Sequence, residues 1–332
     1  MLSPTPQRLP IFALFCALLT LLVSLPASAQ DMTSTLVISG SKIDVTIESG
    51  ELKLAQAELL RWVQNAAEAV ATYYGRYPVP HVDLQIIPVG GSGVRHGQTY
   101  QGCLIKIRVG SETTAGELAN DWMLTHEMVH LSFPSMPDQH HWIEEGIAVY
   151  VEPIARIQAK QMEAPQMWAD LVRDMPKGLP QEGDRGLDHT HTWGRTYWGG
   201  ALFCFLADVE IRRQTHNQKG LQDALRAILN SGGDIREDRN LEDTLKIGDR
   251  STGTSVLVDL YAKMRDQPVE TDLSSMWKQL GVAAEGKSVH FDEKAPLAAI
   301  RRAITHNQSA SAGTIPSMKT RSSAVLAGRT RN

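Results

Sequence analysis

Residues 126–130 read His-Glu-Met-Val-His, and this short run constrains the chain more than any other feature of its sequence. Residues 113–133 around it carry apolar side chains at helical spacing and are followed by Pro134 and Pro137, which predicts a helix that ends there. Two histidines four residues apart lie on one helical face, where both imidazoles can bind one zinc ion. Glu127 then projects beside that face as a candidate general base. The alternative is a pair of buried histidines in an amphipathic helix, but a buried Glu between them would be costly without a metal or a partner.

A third ligand is needed, because a catalytic zinc usually takes three protein ligands and keeps a fourth position for water. Downstream, residues 142–152 predict a second helix that is apolar around much of its surface and interrupted at Pro153. Two adjacent carboxylates in this helix, Glu144 and Glu145, are the candidates. Neighbouring positions on a helix point about 100° apart, so only one of them is expected to reach the metal.

The pattern H-E-x-x-H followed by E-G-x-A-x-Y-x-E resembles the gluzincin metallopeptidases, the thermolysin-like group of the MA clan that includes the M1 and M61 aminopeptidase families. The resemblance implies one catalytic zinc ion held by His126, His130 and Glu145, since the family's third ligand is the Glu before the Gly. It also implies that Glu127 is the general base. Glu152, two turns after the third ligand, is either an acceptor for a zinc-bound histidine or a solvated surface carboxylate.

A Tyr-x-x-Gly sequence follows at Tyr197 and Gly200. In M1 and M61 enzymes, which it resembles, such a Tyr lies at the start of a late helix and polarises the scissile carbonyl. The chemistry supports this role, because a phenol is a neutral donor that can stabilise the oxyanion formed during peptide hydrolysis. His189, His191 and Arg195 are alternatives for the role, and a core aromatic at a helix start is the alternative reading of the Tyr.

The order of predicted elements indicates an α+β protein, and the resemblance implies a two-lobed thermolysin-like metallopeptidase fold. Residues 30–135 are predicted to form an α/β lobe, with a mixed sheet and helices, that ends in the histidine helix. Residues 136–305 are predicted to form a mostly helical lobe that carries the third ligand and the Tyr, and residues 306–332 a disordered tail. The predicted strands are residues 35–39, 43–48, 83–89 and 104–109, with a helix over 52–74. The predicted helices of the second lobe are residues 166–173, 196–213, 221–229, 256–265, 273–279 and 297–303.

Residues 104–109 have a further predicted role. In the gluzincin fold an edge strand binds the substrate backbone by strand addition. This predicted strand comes just before the histidine helix, so it is the candidate for that edge.

The first 29 residues read as a signal peptide. Arg8 precedes an apolar run over residues 11–25, and residues 27–29 give the Ala-Ser-Ala cleavage pattern. We therefore expect an exported protein, periplasmic or secreted, with no stable membrane insertion after cleavage. The apolar run is short for a membrane span, so an uncleaved anchor is the minor alternative.

Charge and cysteine content add two expectations. The net charge is −4, without a basic patch interleaved with aromatics, so nucleic acid is not an expected partner. Cys103 and Cys204 are the two cysteines beyond the leader. In an exported protein they are either a disulfide or two buried thiols.

These features predict a zinc-dependent metallopeptidase that hydrolyses peptide bonds in a peptide or protein substrate. The alternative is a non-catalytic zinc-containing module of the same fold that binds peptides or a partner protein, and the intact Glu127 counts against it. The choice between endopeptidase and aminopeptidase stays open. The absence of a G-A-M-E-N motif favours the first, and the M61 likeness favours the second. The sequence does not determine the oligomeric state.

Overall fold

The first part of the chain forms a five-stranded mixed sheet with strand order β1-β2-β3-β5-β4, and apolar residues alternate along its three central strands. The computed structural model describes residues 30–306, so the predicted signal peptide and nearly all of the predicted tail lie outside the described residues. The strands are β1 Met32–Ile38, β2 Ser41–Ile47, β3 His81–Val89, β4 Val94–Tyr100 and β5 Leu104–Gly110. β2, β3 and β5 run parallel to one another, and β1 and β4 pair antiparallel at the two edges. All four predicted strands are present.

The edge strand differs from the expectation. The predicted substrate strand, residues 104–109, is wrong as an edge, because β5 pairs with β3 on one side and with β4 on the other. The edge is β4, whose sequence Val-Arg-His-Gly-Gln-Thr-Tyr has no buried residue. A strand with both faces partly in water needs no apolar alternation, so its sequence carries little strand signal.

One face of the sheet is buried. It is formed by alternate apolar residues of the three central strands: Ile43, Val45, Ile47, Val82, Leu84, Ile86, Ile105, Ile107 and Val109. Helix α1, Gln56–Tyr74, connects β2 to β3 and contributes its apolar side to the same core. This core continues without a break into the helices of the second half of the chain.

The predicted single helix over residues 113–133 is wrong in one respect, because the structure divides it into α2 Ala115–Ala119 and α3 Met123–His130. The carboxylate of Asp121 lies at the break and accepts hydrogen bonds from the backbone N–H groups of Met123 and Leu124, each at 3.1 Å. It also accepts a hydrogen bond from the indole of Trp62 on α1, at 3.1 Å. An acidic residue that caps a new first turn favours a helix start there over continuation of the preceding helix.

The second half of the chain is mainly helical. Its helices are α4 His141–Gln158, α5 Ala164–Asp174, α6 Gly200–Gln214, α7 Leu221–Asn230, α8 Leu241–Thr252, α9 Val256–Met264, α10 Leu273–Leu280 and α11 Ala298–Thr305. Two 3-10 helices, Asp138–His140 and Met175–Gly178, a π-helix at Gly194–Gly199, and a hairpin of β6 Val282–Glu285 and β7 Ser288–Phe291 complete it. All six helices predicted after Pro153 are present, whereas α8 and the hairpin were not predicted.

Helix α4 is longer than expected. It was predicted to be interrupted at Pro153, but it continues through this residue to Gln158. A proline inside a helix removes one backbone hydrogen bond and crowds the preceding turn. Burial of the residues on both sides, Val151, Ile154 and Ala155 among them, offsets that loss.

Two smaller questions from the sequence also have answers. Cys103 and Cys204 are separate buried thiols, so the disulfide alternative is wrong. Within residues 30–306, no helix combines the length and the apolar character that crossing a membrane requires.

Candidate active site

Three side chains from two helices meet at one point. His126 and His130 lie on successive turns of α3, and Glu145 lies in the second turn of α4. Nε2 of His126 is 3.1 Å from Oε2 of Glu145, and Nε2 of His130 is 3.7 Å from the same oxygen. Each residue offers one ligand atom, and these atoms all lie within 4.8 Å of one another. The structure therefore brings the three predicted ligands together.

These distances fit a zinc ion. Ligand atoms bonded to zinc at about 2.0–2.1 Å in a tetrahedron lie roughly 3.3 Å from one another. The two separations from the Glu145 oxygen, 3.1 and 3.7 Å, bracket that value. Two imidazoles and one carboxylate are also the donor set of catalytic zinc sites that keep a position open.

Burial and neighbouring charges shift the pKa values of two of these side chains in the directions that favour binding of a cation. Burial lowers the pKa of His130 to about 4, which keeps its imidazole neutral and able to bind a metal. For Glu145, burial alone would raise the pKa. Its hydrogen bonds with His126 and His141 and the nearby imidazole charges outweigh burial and hold the pKa well below the ordinary range. A buried carboxylate that stays ionised beside two imidazoles is an arrangement that suits a divalent ion.

The competing carboxylate, Glu144, points elsewhere. It accepts a hydrogen bond from the backbone N–H of Met136 at 3.3 Å and contacts Nδ1 of His141 at 3.3 Å. The other ring nitrogen of His141 lies 3.3 Å from Oε1 of Glu145, the oxygen that does not face His126. His141 thus fixes the orientation of the Glu145 carboxylate, a role that the sequence reasoning missed. Its position four residues before Glu145, one helical turn away, is the signal that could have identified it.

A close contact between two helices, made at a glycine of each, places Tyr197 beside this cluster. Gly146 of α4 packs against Gly200 at the start of α6, and a Cβ on Gly146 would lie 2.2 Å from the carbonyl carbon of Gly200. A Cβ on Gly200 would lie 2.0 Å from the carbonyl oxygen of Trp142. Only glycine permits such a close approach of two helix backbones. Because Glu145 precedes one glycine and Tyr197 lies three residues before the other, the crossing brings the two side chains to the same place.

Tyr197 lies in the π-helix that leads into α6. Its ring stacks on that of His126, with centroids 6.5 Å apart and an interplanar angle of 14°. Burial, followed by the charge of Glu145, raises the pKa of Tyr197 to about 12, so its hydroxyl keeps its proton. A protonated phenol at the metal site can donate to a developing oxyanion. Irregular π segments often occur at functional sites in helices.

The three alternatives to Tyr197 do not line this site. His189 is exposed and pairs with Asp266 at 2.9 Å, and His191 is exposed in the loop before the π-helix. Arg195 is buried and forms an ion pair with Asp184 at 2.7 Å. The guanidinium of Arg195 is therefore occupied by this ion pair and does not face the metal cluster.

Glu127 faces the edge strand β4. Oγ1 of Thr99 lies 2.7 Å from Oε2 of Glu127 and 2.8 Å from its backbone carbonyl oxygen, so the hydroxyl can donate to either. Gly97 passes still closer, since a Cβ there would lie 2.6 Å from Cγ of Glu127. Burial raises the pKa of Glu127, while His126 and the Thr99 hydrogen bond act in the opposite direction. The sequence reasoning missed Gly97 and Thr99, because their closeness to Glu127 depends on a strand that it did not predict.

The metal cluster, Glu127 and Tyr197 line one cavity of about 320 Å³, the cleft cavity. Its remaining walls come from β4, residues 96–99, and from His141, Glu144 and Ile235. The cleft cavity therefore joins three ligand side chains, a buried carboxylate, a phenol and an unpaired strand edge in a single space.

Glu152 is buried, so its reading as a solvated surface carboxylate is wrong. Its partner is Arg156, whose Nη1 lies 2.9 Å from Oε1 of Glu152. Nδ1 of His126 is buried and has no hydrogen-bond partner among residues 30–306. Burial raises the pKa of Glu152 to about 7, against the attraction of Arg156.

Comparison with known proteins gives a likeness of fold. No family model matches the sequence, and no curated protein matches it. The fold is similar to the crystal structure of an aminopeptidase N family protein from Idiomarina loihiensis, with a TM-score of 0.57 and 12% identity over 76% of this chain and 49% of that one. An M1 zinc metallopeptidase from Deinococcus radiodurans aligns with a TM-score of 0.48 and 16% identity over 73% of this chain and 53% of that one.

The chain thus spans about half the length of these solved structures. At such low identity the first likeness shows the fold alone. That fold is a mixed α+β arrangement, with an N-terminal mixed sheet followed by a helical C-terminal region, and it is shared with the aminopeptidase N family protein.

Proposed function

We propose that this chain is an exported zinc-dependent peptidase whose active site is the cleft cavity. The observation that carries the proposal is the convergence of His126, His130 and Glu145 with Glu127 and Tyr197 on that one cavity. The likeness of fold to an aminopeptidase N family protein and the sequence resemblance support the same activity. When bound by the three ligands, zinc supplies a Lewis acid that lowers the pKa of a water ligand to about 7.

In this proposal the chain's own groups divide the work. Glu127 accepts a proton from the water that attacks the amide carbonyl and passes it to the leaving nitrogen. Thr99 and Gly97 hold the Glu127 carboxylate in place from the strand side. The Tyr197 hydroxyl donates a hydrogen bond to the oxygen of the former carbonyl as negative charge develops there.

The substrate backbone lies along β4 in this proposal. This strand is the free edge of the sheet beyond β5, and four of its residues line the cleft cavity. An extended peptide can pair with such an edge through backbone hydrogen bonds. The predicted lobes, residues 30–135 and 136–305, would then contribute opposite walls, β4 and α3 from the first and α4 with the π-helix from the second.

Peptide cleavage tests the proposal. A mixed peptide library is incubated with the zinc-loaded protein and analysed by mass spectrometry. The Glu127→Gln variant should keep its zinc and lose turnover by about 10²- to 10⁴-fold, the usual contribution of a general base. Glu68→Gln, the same change at an exposed carboxylate on α1, is the matched control and should cleave like wild type.

The sites of cleavage would also separate internal cutting from removal of amino-terminal residues. Full turnover by Glu127→Gln would contradict the base assignment. Absence of cleavage by the zinc-loaded wild type would favour the alternative, a zinc-containing module that binds peptides without hydrolysing them.

A further inference from the structure

A second cavity, the side cavity, adjoins the candidate active site. It has a volume of about 360 Å³, and it shares His126 and Tyr197 with the cleft cavity. These two residues are a proposed metal ligand and the proposed oxyanion donor. A side chain in the side cavity would therefore lie beside the proposed metal ligand and oxyanion donor.

The wall of the side cavity is largely apolar. Val149 and Pro153 of α4 form one part, and Met167 and Leu171 of α5 form another. Met162, in the segment between these helices, adds to the same wall. An apolar lining of this kind gains free energy by taking apolar surface out of water.

The charged residues around the side cavity are already paired with one another. Arg156 pairs with Glu152 at 2.9 Å. Lys177 pairs with Asp174 at 2.8 Å, and Arg173 pairs with Asp170 at 2.6 Å. Each of the three acidic side chains is thus paired with a basic one, and a charged ligand group would have to compete with an existing ion pair. The lining therefore favours an uncharged occupant.

Two tryptophans at the side cavity are unusually exposed. Trp122 is 50% exposed and meets the ring of His126 edge-on, with centroids 5.4 Å apart. Trp193 is 59% exposed and stacks on Tyr197, with centroids 5.7 Å apart. Large aromatic residues left in water beside a cavity mark a surface that gains by being covered. Here both of them contact the rings that separate the two cavities.

The size of the side cavity is sufficient for an aromatic ring. An apolar protein cavity of about 150 Å³ admits benzene. The side cavity, at about 360 Å³, has more than twice that volume. Space is therefore available for a phenyl or indole ring together with part of its linking chain.

From this geometry we infer that the side cavity is a specificity pocket, which takes a large apolar, preferably aromatic, side chain of a peptide at the residue beside the cleaved bond. The inference rests on the proposed function, because it places the peptide in the cleft cavity. It adds the class of side chain that this chain selects, and it assigns Val149 and Met162 to the selection.

Binding tests the pocket separately from hydrolysis. The probes are alanine-based peptides that carry one phenylalanine and the same peptides with alanine instead, each with a free or an acetylated amino terminus. Dissociation constants are measured by calorimetry on zinc-loaded Glu127→Gln protein, and cleavage of the same peptides is measured with wild type. We expect the phenylalanine peptides to bind about 10- to 100-fold more tightly, as burial of one aromatic side chain predicts.

Filling the pocket should remove this preference. Val149→Phe places a ring in the side cavity, and Met162→Trp does so from a half-buried position outside the helices, in case the first variant fails to fold. Val258→Phe on α9 makes the same change at a half-buried valine away from both cavities and should keep the preference.

The possible results distinguish the two proposals. Equal binding of both peptide sets by the unfilled protein would overturn the pocket, and cleavage by wild type would still support the peptidase. A preference that persists when the pocket is filled would also overturn it. A preference that the filled variants lose, without cleavage by wild type, would support the pocket and end the peptidase proposal.

Discussion

The two walls of the cleft cavity are held in place differently. On the helix wall, α3 and α4 present three ligand groups, two of them buried and His130 half-buried, and the contact of Gly146 with Gly200 fixes the distance between α4 and the π-helix region. On the strand wall, β4 is an edge strand without a buried residue. From β4, Gly97 and Thr99 approach Glu127.

This difference separates metal binding from the positioning of the base and the substrate. The helix wall contains the atoms that would hold the metal, so changes at its three ligand residues should appear first as a change in zinc affinity. The strand wall contacts the base and is open to a peptide, so changes there should leave zinc in place and reduce turnover. Zinc affinity and kcat/KM measured on the same variants therefore test whether the two walls act independently.

The largest effect is expected at Glu145. Glu145→Ala removes one of three ligands from a buried cluster, so we expect zinc affinity to fall by more than about 100-fold, beyond the 10- to 100-fold typical of residues that only orient a ligand. Competition with a chromogenic chelator measures this affinity. Glu144→Ala, the neighbouring carboxylate, is the matched control and should keep zinc. Loss of zinc in the control alone would reverse the assignment of the third ligand.

Tyr197 is expected to have the next largest effect, on turnover. Tyr197→Phe removes the hydroxyl and keeps the ring that stacks on His126, so zinc affinity should stay unchanged while kcat falls by about 10²- to 10³-fold, the usual loss of one oxyanion donor. Steady-state kinetics on a cleaved peptide measure the change. Tyr77→Phe removes a buried hydroxyl that lies away from both cavities and should leave kcat unaltered. A Tyr197→Phe variant with wild-type kcat would show that Tyr197 is only a packing residue.

The helix wall could be predicted from the sequence, and the strand wall could not, for a physical reason. Positions four apart on a helix share a face whatever the rest of the fold does, so His126 and His130 could be paired from spacing alone. The α+β fold class could be predicted from the order of strands and helices along the chain. The family pattern placed Glu145, Tyr197 and their glycines together, and the Gly146–Gly200 contact supplies the physical cause.

Features that depend on tertiary contacts left weaker traces in the sequence. The contact of Gly97 with Glu127 joins residues on two elements, and β4 has no apolar alternation to reveal it. At the break between α2 and α3, Asp121 caps the new helix and accepts a hydrogen bond from the distant Trp62, whereas apolar spacing alone predicted one continuous helix. Pro153 gave the opposite error: its local preference predicted an interrupted helix, but burial of the surrounding residues keeps α4 continuous.

Thr99 should show the smallest effect and provides the sharpest comparison of the two walls. Thr99→Val keeps the shape of the side chain and removes the hydroxyl that contacts the Glu127 carboxylate at 2.7 Å. Hydrogen bonds to charged groups contribute about 1.5–3 kcal/mol, so kcat/KM should fall by roughly 10- to 100-fold. Zinc affinity should not change, because the Thr99 hydroxyl forms its hydrogen bonds with Glu127 and not with the three ligands. Thr99→Ser retains a hydroxyl and should recover most of the activity. If Thr99→Val lost zinc as readily as Glu145→Ala, the two walls would be one cooperative unit, and metal binding would depend on the edge strand.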